Sequence, residues 1–446
     1  MKMRRMNDML YENNWESLNA RPVPRWFGDA KFGIFIHWGL YSVPAFAPKG
    51  NYAEWYWHAI TCPNPNDVQK QFRVFHKKTY GEQFKYTDFV SMFKAECFDA
   101  DEWAELFRRS GAKYMNLVSK HHDGFCMYET QYAPFWNSVD VGPHRDFCRE
   151  LKDALDKTDV RFGVYHSVYE WYHPLYLKDP EEYAVKHLLP MLKELMEKYQ
   201  PATLFTDGEW DHDASVWHST EFLQWLYNES SVRDFIVPND RWGKGTRGKL
   251  GGNFTSEYGY IDGDSTHGGT KAFLTADRPF EECRGIGGSF GWNRFEKPED
   301  YLSSEALVHE LIDLVSKGSN FLLNIGPTPD GRVPVIMQQK LLDIGKWLSV
   351  NGEGIYGTRV YAFKEEGNIR YTQKDGAVYA FLLRFPFGKV KLDDVPFDPA
   401  LRAELLGSNV RPALNEENGK VVLTFPPINP DDLPVGYAYG VKLSKE

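Results

Sequence analysis

Residues Thr203 to Trp210 read TLFTDGEW, a short run of apolar and hydroxylated residues that leads directly into Asp207 and a glycine. A carboxylate at the carboxyl end of a short buried strand lies where barrel enzymes hold their reactive groups. Alone, the same pattern would fit an aspartate in a turn, because Asp-Gly pairs are common in turns. Its surroundings in the chain favour the first interpretation, and we predict that Asp207 is a catalytic acid.

Other segments of the chain follow the same plan, each beginning with an apolar run and finishing in His, Tyr, Arg, Asp or Trp. They are KFGIFIHWGL (31–40), KYMNLVSKHHDGF (113–125), RFGVYHSVYEW (161–171) and FIVPNDRWG (235–243). Aromatic faces pack on the apolar C–H surface of a pyranose, while imidazole, carboxylate and guanidinium groups bind its hydroxyls. The repetition predicts a carbohydrate site at the ends of several strands.

Alternation of strands and helices predicts the fold class. Strand-like runs occupy 32–36, 114–118, 161–166, 203–207, 235–239 and 320–325, and segments with helical periodicity include 146–157, 181–199, 216–228 and 303–317. Such alternation implies parallel pairing and predicts an α/β fold, a (β/α)8-like TIM barrel. A doubly wound sheet would need a phosphate-type glycine loop after the first strand, and the glycines of RGIGGSFGWN (284–293) instead suit a loop beside the pocket.

The residue pattern of the chain changes after a helix-like stretch at 337–350. Short alternating runs broken by Pro, Gly and Asp follow, such as VYAFLLRF and KVVLTF. Period-two alternation with frequent turns predicts an antiparallel β-sandwich. We therefore predict two domains, a catalytic (β/α)8-like barrel over 1–355 and a C-terminal β-sandwich over 356–446.

Composition excludes some classes of partner. A formal net charge of −10 argues against a nucleic-acid partner, which would need clustered basic surface. No segment approaches the roughly 20 apolar residues of a membrane span, and the first residues lack the apolar run of a secretory signal. We expect a cytoplasmic protein, or a secreted or periplasmic one if a signal was removed. The 5 cysteines show no CxxC pairing and so no zinc signature.

Several longer motifs resemble one known family. WFGDAKFGIFIHWGLYSVPAF, NYAEWYW, KHHDGF, WNSVDVGPHRD, TDGEWD, NDRWG and NFLLNIGPTPDG occur in this order between about Trp15 and Thr358. Together they resemble the α-L-fucosidases, the retaining glycoside hydrolases of family 29, in a spelling closest to the broad-specificity, animal-lysosomal-like branch. The resemblance implies an exo-acting hydrolase of terminal α-L-fucose with a fucosylated glycan as substrate and no cofactor. A homo-oligomer is possible.

The resemblance also implies roles for individual carboxylates. Asp207 matches the nucleophile, which would form a covalent fucosyl-enzyme intermediate while a second carboxylic acid protonates the leaving oxygen. Glu257, in GGNFTSEYGY, matches the favoured acid/base, and Glu281, in RPFEECRG, is the alternative, with Phe280 where the matching motif has tryptophan. Retaining enzymes hold the two carboxyls about 5 to 5.5 Å apart.

The remaining pocket residues follow from the same resemblance. Side chains expected to hold the fucose hydroxyls are His37, Glu54, Trp55, His121, His122, Tyr165 and Arg241. The C5 methyl of this 6-deoxy sugar should contact an apolar surface formed by Phe35, Tyr52, Phe290 and Trp292. Such a surface would favour binding of fucose over an analogue with a hydroxyl at C6.

Two other classes of function remain open from the sequence. His37, His121, His122 and Asp207 could serve a metal-dependent barrel hydrolase, since zinc sites combine His and carboxylates. Adjacent histidines on an extended chain point to opposite faces, so His121 and His122 can reach one ligand only past a bulge or turn. A fucose-binding protein with impaired catalysis is the other alternative.

Overall fold

The computed structural model describes residues 10–249, 251–258, 279–362, 367–432, 434 and 436–445. Its first body is built around eight parallel strands. These are β1 (Phe32–Ile36), β2 (Tyr114–Lys120), β3 (Arg161–Ser167), β4 (Thr203–Asp207), β5 (Val237–Pro238), β6 (Thr255–Tyr258), β7 (Phe280–Gly285) and β8 (Asn320–Ile325). Their order in the sheet is β5-β4-β3-β2-β1-β8-β7-β6, with every pairing parallel.

One isolated bridge joins the two ends of this sheet. Asn239, just after β5, pairs in parallel with Phe254, just before β6, and the amide of Asn253 donates to the carbonyl of Pro238 at 2.8 Å. Gly252 allows this approach, because a Cβ there would lie 1.7 Å from the carbonyl oxygen of Asn239. The sheet is therefore a closed barrel, and the predicted TIM-like fold class is confirmed.

Helices surround the barrel. They are α1 (Trp15–Asn19), α2 (Arg25–Ala30), α3 (Tyr56–Thr61), α4 (Asp67–Tyr80), α5 (Ala100–Ser110), α6 (Phe147–Leu155), α7 (Pro174–Lys178), α8 (Pro180–Tyr183), α9 (Leu189–Tyr199), α10 (Ser219–Asn228), α11 (Ser304–Ser316) and α12 (Val335–Asn351). Alternate strand residues such as Phe35, Tyr165, Phe205 and Leu322 fill the barrel interior, and the opposite strand faces pack on the helices. No described helix is long and apolar enough to cross a bilayer.

The C-terminal part is antiparallel throughout. Its strands are β9 (Arg359–Val360), β10 (Ile369–Lys374), β11 (Ala377–Leu382), β12 (Lys389–Pro396), β13 (Leu401–Leu405), β14 (Ala413–Glu417), β15 (Lys420–Thr424) and β16 (Tyr439–Lys445). They form one sheet of five strands and one of three over a shared apolar core, as the alternating pattern predicts. The sandwich packs on the barrel through Trp347, whose indole donates to the carbonyl of Ala438 at 2.9 Å.

Strands β6 and β7 have no counterpart among the runs read from the sequence. Both strands carry buried glutamates, namely Glu257, Glu281 and Glu282. These charged residues interrupt the apolar pattern by which the other strands were predicted. Helix α4 (Asp67–Tyr80) is likewise absent from the helical segments given in the sequence analysis. Asn66 and Gln69 cap that helix reciprocally, a signal present in the sequence.

The bulge required by the adjacent histidines is present. The pairing of β2 with β3 shifts register between Val118 and Lys120, so that one extra residue of β2 is accommodated. Ser119, the extra residue, donates its hydroxyl to the carbonyl of Tyr165 at 2.7 Å. This irregularity comes directly before His121 and His122 and lets both side chains turn toward the same cavity.

Candidate active site

A cavity of about 400 Å³ opens among the loops that follow the barrel strands. Its lining combines aromatic rings, imidazoles and charged groups from the ends of several strands. The lining residues are His37, Tyr52, Glu54, Trp55, His121, His122, Asp207, Trp210, Arg241, Arg247 and Phe290. Nine of these eleven residues are among the candidates named from the sequence, and the cavity brings them together.

Asp207, the last residue of β4, is held by three neighbours. Its Oδ1 accepts a hydrogen bond from Arg241 Nη1 at 2.8 Å, and its Oδ2 accepts from the hydroxyl of Tyr165 at 3.1 Å. The Nε2 atom of His122 lies 3.9 Å from the same Oδ2. These contacts fix the carboxylate in one orientation with a charge-assisted bond on one oxygen.

The chain turns sharply after Asp207. Gly208 has φ of +85°, and a Cβ at this position would lie 2.5 Å from the Cβ of Tyr169. Glycine adopts this left-handed conformation without steric cost. The Asp-Gly pair thus makes a real turn, and the same turn delivers Asp207 to the cavity and Glu209 to the buried wall behind it.

Arg241 is itself rigidly placed. Its Nε donates to Ser256 Oγ at 3.0 Å and its Nη2 donates to the backbone carbonyl of Ser256 at 3.1 Å. The residue is 0 % exposed. Ser256 lies on β6, so a guanidinium from the end of β5 is anchored on the neighbouring strand while it binds the carboxylate of β4.

The histidines are uncharged at neutral pH. Burial lowers the pKa of His37 to about 4, and its Nδ1 lies 2.7 Å from Asn324 Oδ1. Burial, with the neighbouring His122 and His37, also holds the pKa of His121 well below its ordinary value. Burial and the cation of Lys120 do the same to His122, whose Nδ1 lies 2.6 Å from Ser167 Oγ. A neutral imidazole has one donor and one acceptor nitrogen, and since Nδ1 of His37 and of His122 is already bonded within the protein, Nε2 is the atom that each of these two rings can offer to a sugar hydroxyl.

Glu54 also lines the cavity. Its Oε2 accepts from the amide of Gly291 at 2.8 Å, and burial raises the pKa of its carboxyl to about 7. The neighbouring Trp55 is half-buried, with its ring 5.4 Å from His122 and 6.0 Å from Trp210. A carboxyl that is partly protonated near neutral pH can both donate to and accept from a hydroxyl.

Of the four residues predicted to contact the C5 methyl, two line the cavity and two do not. Phe290 and Tyr52 line the cavity with ring centroids 5.6 Å apart, and Phe290 lies 5.0 Å from His37. Phe35 is fully buried in the barrel interior, 4.5 Å from the His37 ring, and therefore supports the wall from below. Trp292 is half-buried beside Arg294 and is absent from the described lining.

Glu257 lies behind the cavity wall in a cluster of charged side chains. Its Oε1 accepts from Arg247 Nη1 at 3.2 Å, and its Oε2 is 3.8 Å from Arg241 Nη2. Arg247 also donates from Nε to Glu209 Oε1 at 2.6 Å. Burial raises the pKa of Glu209 against the opposing effect of Arg241 and Arg247. Glu257 is thus tied, through Arg241, to the carboxylate of Asp207.

Glu281 lies at the other end of the barrel. It pairs across the sheet with Asn320, the first residue of β8, and it accepts a hydrogen bond from the hydroxyl of Tyr114, the first residue of β2. It is 0 % exposed, and burial raises the pKa of its carboxyl to about 8. The interior aromatic layers separate this position from the strand ends that bear Asp207.

Among the described residues, donor atoms that could hold a metal ion converge at Glu170, His173 and His187, within 4.8 Å of one another. None of the three lines the cavity. The ammonium of Lys120 already lies 2.5 Å from Glu170 Oε1, and Lys120 is fully buried. The cation that this carboxylate binds is therefore the lysine, and the donor set does not fit an additional metal.

Sequence reasoning missed three residues around the cavity: Glu209, Trp210 and Arg247. Glu209 and Trp210 follow Asp207 directly in the TDGEW motif, so their proximity to the site could have been inferred. Arg247 lies in the loop after β5. That loop has no periodicity, and nothing in its composition indicates which of its basic residues turns inward.

Known proteins match the chain along nearly all of its length. A family model described as Alpha-L-fucosidase matches residues 2–353. The tissue alpha-L-fucosidase of Rattus norvegicus is 38% identical over 447 residues, which cover 98% of this chain and 93% of the rat protein.

Solved structures show the same architecture. The Thermotoga maritima alpha-fucosidase in complex with a mechanism-based inhibitor superposes with a TM-score of 0.82 at 34% identity, covering 98% of this chain and 100% of that one. The same enzyme in complex with fucose gives a TM-score of 0.81 at 33% identity, covering 97% and 100%.

Proposed function

Because this chain belongs to the α-L-fucosidase family, and is thereby a glycoside hydrolase, we propose that it removes terminal α-L-fucose by double displacement with Asp207 as nucleophile. The observation that carries the assignment is the placement of Asp207. Its carboxylate faces a cavity sized for a small ligand and is oriented by Arg241 and Tyr165. The related Thermotoga maritima enzyme binds fucose and a mechanism-based inhibitor, which supports the same substrate here.

The first half of the reaction forms a bond between an Asp207 oxygen and the anomeric carbon. The bond from that carbon to the leaving oxygen breaks, and the leaving oxygen takes a proton from a second carboxylic acid. Arg241 holds one oxygen of Asp207, so the other oxygen, Oδ2, attacks while Tyr165 and His122 remain beside it. Water then breaks the ester and returns its proton to the acid.

Glu257 is the better candidate for the acid/base. Its Oε2 lies 3.8 Å from Arg241 Nη2, while Asp207 accepts from Nη1, so that the two carboxyls flank a single guanidinium. Glu281 is sealed at the far end of the barrel, where no leaving group could reach it. The carboxyl separation required of a retaining enzyme favours a pair that shares one guanidinium.

The other lining residues suit a 6-deoxy sugar. Neutral His37, His121 and His122, together with Glu54, present donors and acceptors to hydroxyls. Phe290 and Tyr52 form an apolar corner that can receive the C5 methyl. Packing of an apolar group there is worth about 0.8 kcal/mol per buried carbon, which favours fucose over a C6-hydroxylated analogue.

The substrate is accordingly a fucosylated oligosaccharide or glycoconjugate with its fucose at a chain end. A cytoplasmic location and a possible homo-oligomer stay predictions from the sequence.

The test is trapping of the intermediate. A 2-deoxy-2-fluoro fucoside with an activated leaving group should inactivate the protein, and peptide mapping should find the label on Asp207. Label on another carboxylate would overturn the assignment of the nucleophile, while an unlabelled, inert protein would indicate a binding protein.

A further inference from the structure

Three carboxyls and two guanidiniums are packed together at one wall of the cavity. Asp207, Glu209 and Glu257 are 6%, 2% and 1% exposed, and Arg241 and Arg247 lie among them. With these five described groups all ionised, three carboxylates and two guanidiniums leave a net charge of −1. Burying such a charge is costly, so the cluster favours one proton on one of the carboxyls.

Arg247 is shared by two of these carboxyls. Its Nε is 2.6 Å from Glu209 Oε1, and its Nη1 is 3.2 Å from Glu257 Oε1. Arg241, in contrast, is committed to Asp207 and to the backbone and hydroxyl of Ser256. Arg247 is therefore the cation of the cluster that can change partners without releasing the nucleophile.

The two oxygens of Glu257 differ in their surroundings. Oε1 accepts from Arg247, whereas Oε2 is buried and makes no hydrogen bond to any described residue. Glu209 is alike: its Oε1 binds Arg247 and its buried Oε2 makes no hydrogen bond to any described residue, so either glutamate can carry the proton while Arg247 pairs with the other. Arg247 lines the cavity and Glu257 does not, so the arginine must move aside before the acid can reach a leaving group.

We propose that Arg247 is a positioning residue that alternates between Glu209 and Glu257 during the reaction. This inference rests on the proposed function, in which Glu257 is the acid/base. While Glu257 holds its proton, Arg247 binds Glu209 and leaves Glu257 open to the leaving oxygen. Once that proton has passed to the leaving oxygen, the new Glu257 carboxylate attracts Arg247. When water returns a proton to Glu257, the arginine goes back to Glu209.

Charge sets the direction of each movement. A guanidinium next to a carboxyl favours its ionised form, so Arg247 on Glu257 opposes proton donation and Arg247 on Glu209 permits it. Other ionisable groups on the elements packed against Glu257 are Asp240, Glu282 and Cys283. They do not bind Arg247 in the structure, so Glu209 is the described carboxylate that competes for it.

The experiment compares two substrates that differ in their need for an acid. An activated dinitrophenyl fucoside leaves without proton donation, while a methyl fucoside requires it. Glu209→Gln should hold Arg247 on Glu257 and lower kcat/KM for the methyl fucoside by about 10-fold, with little change for the aryl fucoside. The alkaline limb of the pH profile should move to lower pH.

Matched controls use the same strand-end loops. Asp211→Asn removes an exposed carboxylate two residues from Glu209 and should match the wild type. Arg247→Met should move the alkaline limb to higher pH, whereas Lys249→Met, which removes an exposed cation of the same loop, should leave it in place. In the Arg247→Met background, Glu209→Gln should add little, because its effect requires the arginine.

Two results would overturn the inference: an equal loss on both substrates, or a full Glu209→Gln effect in the absence of Arg247. Glu257→Gln separates this failure from failure of the proposed function. If Glu257→Gln slows the methyl fucoside selectively while Glu209→Gln does not, only the alternating arginine is wrong. If Glu257→Gln shows no such selectivity, the acid/base assignment itself is wrong. Melting temperatures of all variants identify any loss due to misfolding.

Discussion

The two ends of the barrel interior both bury carboxyl groups, but they treat them in opposite ways. At the carboxyl ends of the strands, Asp207 is bound by Arg241 beside an open cavity. At the amino ends, Glu281 meets only the hydroxyl of Tyr114 among the described residues, and burial raises the pKa of its carboxyl to about 8.

The comparison shows that burial alone does not make a carboxyl catalytic. A nucleophile must stay ionised, and this requires a fixed cation and access for the substrate. Glu281 has neither of these among the described residues, and burial raises the pKa of its carboxyl to about 8, so we expect it to keep its proton at neutral pH. In the sequence Glu257 and Glu281 look alike, but they differ in the end of the barrel at which they lie.

The largest effect is expected at the catalytic end. Asp207→Asn keeps the shape of the side chain but cannot attack the anomeric carbon, so kcat should fall by at least about 10⁴-fold. Hydrolysis of an aryl α-L-fucoside measures the loss, and circular dichroism checks the fold. Ordinary turnover by a folded variant would remove Asp207 from its proposed role.

Exchanging the two glutamates tests the comparison directly. Glu257→Ala should slow substrates with poor leaving groups by about 10² to 10⁴-fold, since proton donation is lost. Azide should restore the rate with an activated fucoside by attacking the fucosyl-enzyme and displacing Asp207, and the double displacement should yield α-fucosyl azide. Glu281→Ala should show neither behaviour; if it shows both and Glu257→Ala does not, the acid belongs to the other end.

Removing the cation of the catalytic end should have the next largest effect. Arg241→Ala leaves the Asp207 carboxylate buried without its main donor, and kcat/KM should fall by about 10² to 10³-fold. Steady-state kinetics separates KM from kcat. An unchanged KM would place Arg241 outside the contacts made with bound sugar.

The amino end should respond in stability instead. Glu281 binds its proton more tightly in the folded state than in the unfolded state, so its contribution to stability is full below the ordinary range near 4.5 and is lost as pH rises through about 8. Glu281→Gln mimics the protonated acid and should reduce this loss, which is on the order of a few kcal/mol at most. Urea unfolding at pH 6 and pH 9 measures it; an identical pH dependence in both proteins would contradict the protonated state.

Where apolar runs mark the strands, the fold follows from the sequence. Strands β1, β4 and β8 have the predicted bounds because their residues are all buried and each strand contains apolar residues that mark it in the sequence. Strands β6 and β7 escape prediction because they carry charged residues that tertiary partners neutralise or burial protonates. A single sequence does not reveal such partners.

The candidate site divides along similar lines. Residues that end apolar strands, such as His37 and Asp207, are predictable from position alone. Arg247 and its partnership with Glu209 depend on how an aperiodic loop folds back over the strand ends. The proposal of Glu257 rather than Glu281 as the acid/base depends on the register of β6 and β7, which the sequence pattern does not display.

The bridge between Asn239 and Phe254 gives the barrel an uneven stiffness. Strand β4 is locked to β3 by four paired residues, whereas β5 pairs with β4 through two and reaches β6 through one bridge. Local opening is easiest where the ladder is shortest. Asp207 lies on β4, which is paired with β3 over four residues, whereas Arg247 lies in the loop after β5 and Glu257 lies on β6, where the pairing is shortest. We therefore expect the separation between Asp207 and Glu257, the proposed nucleophile and acid/base, to vary more than the position of Asp207 itself.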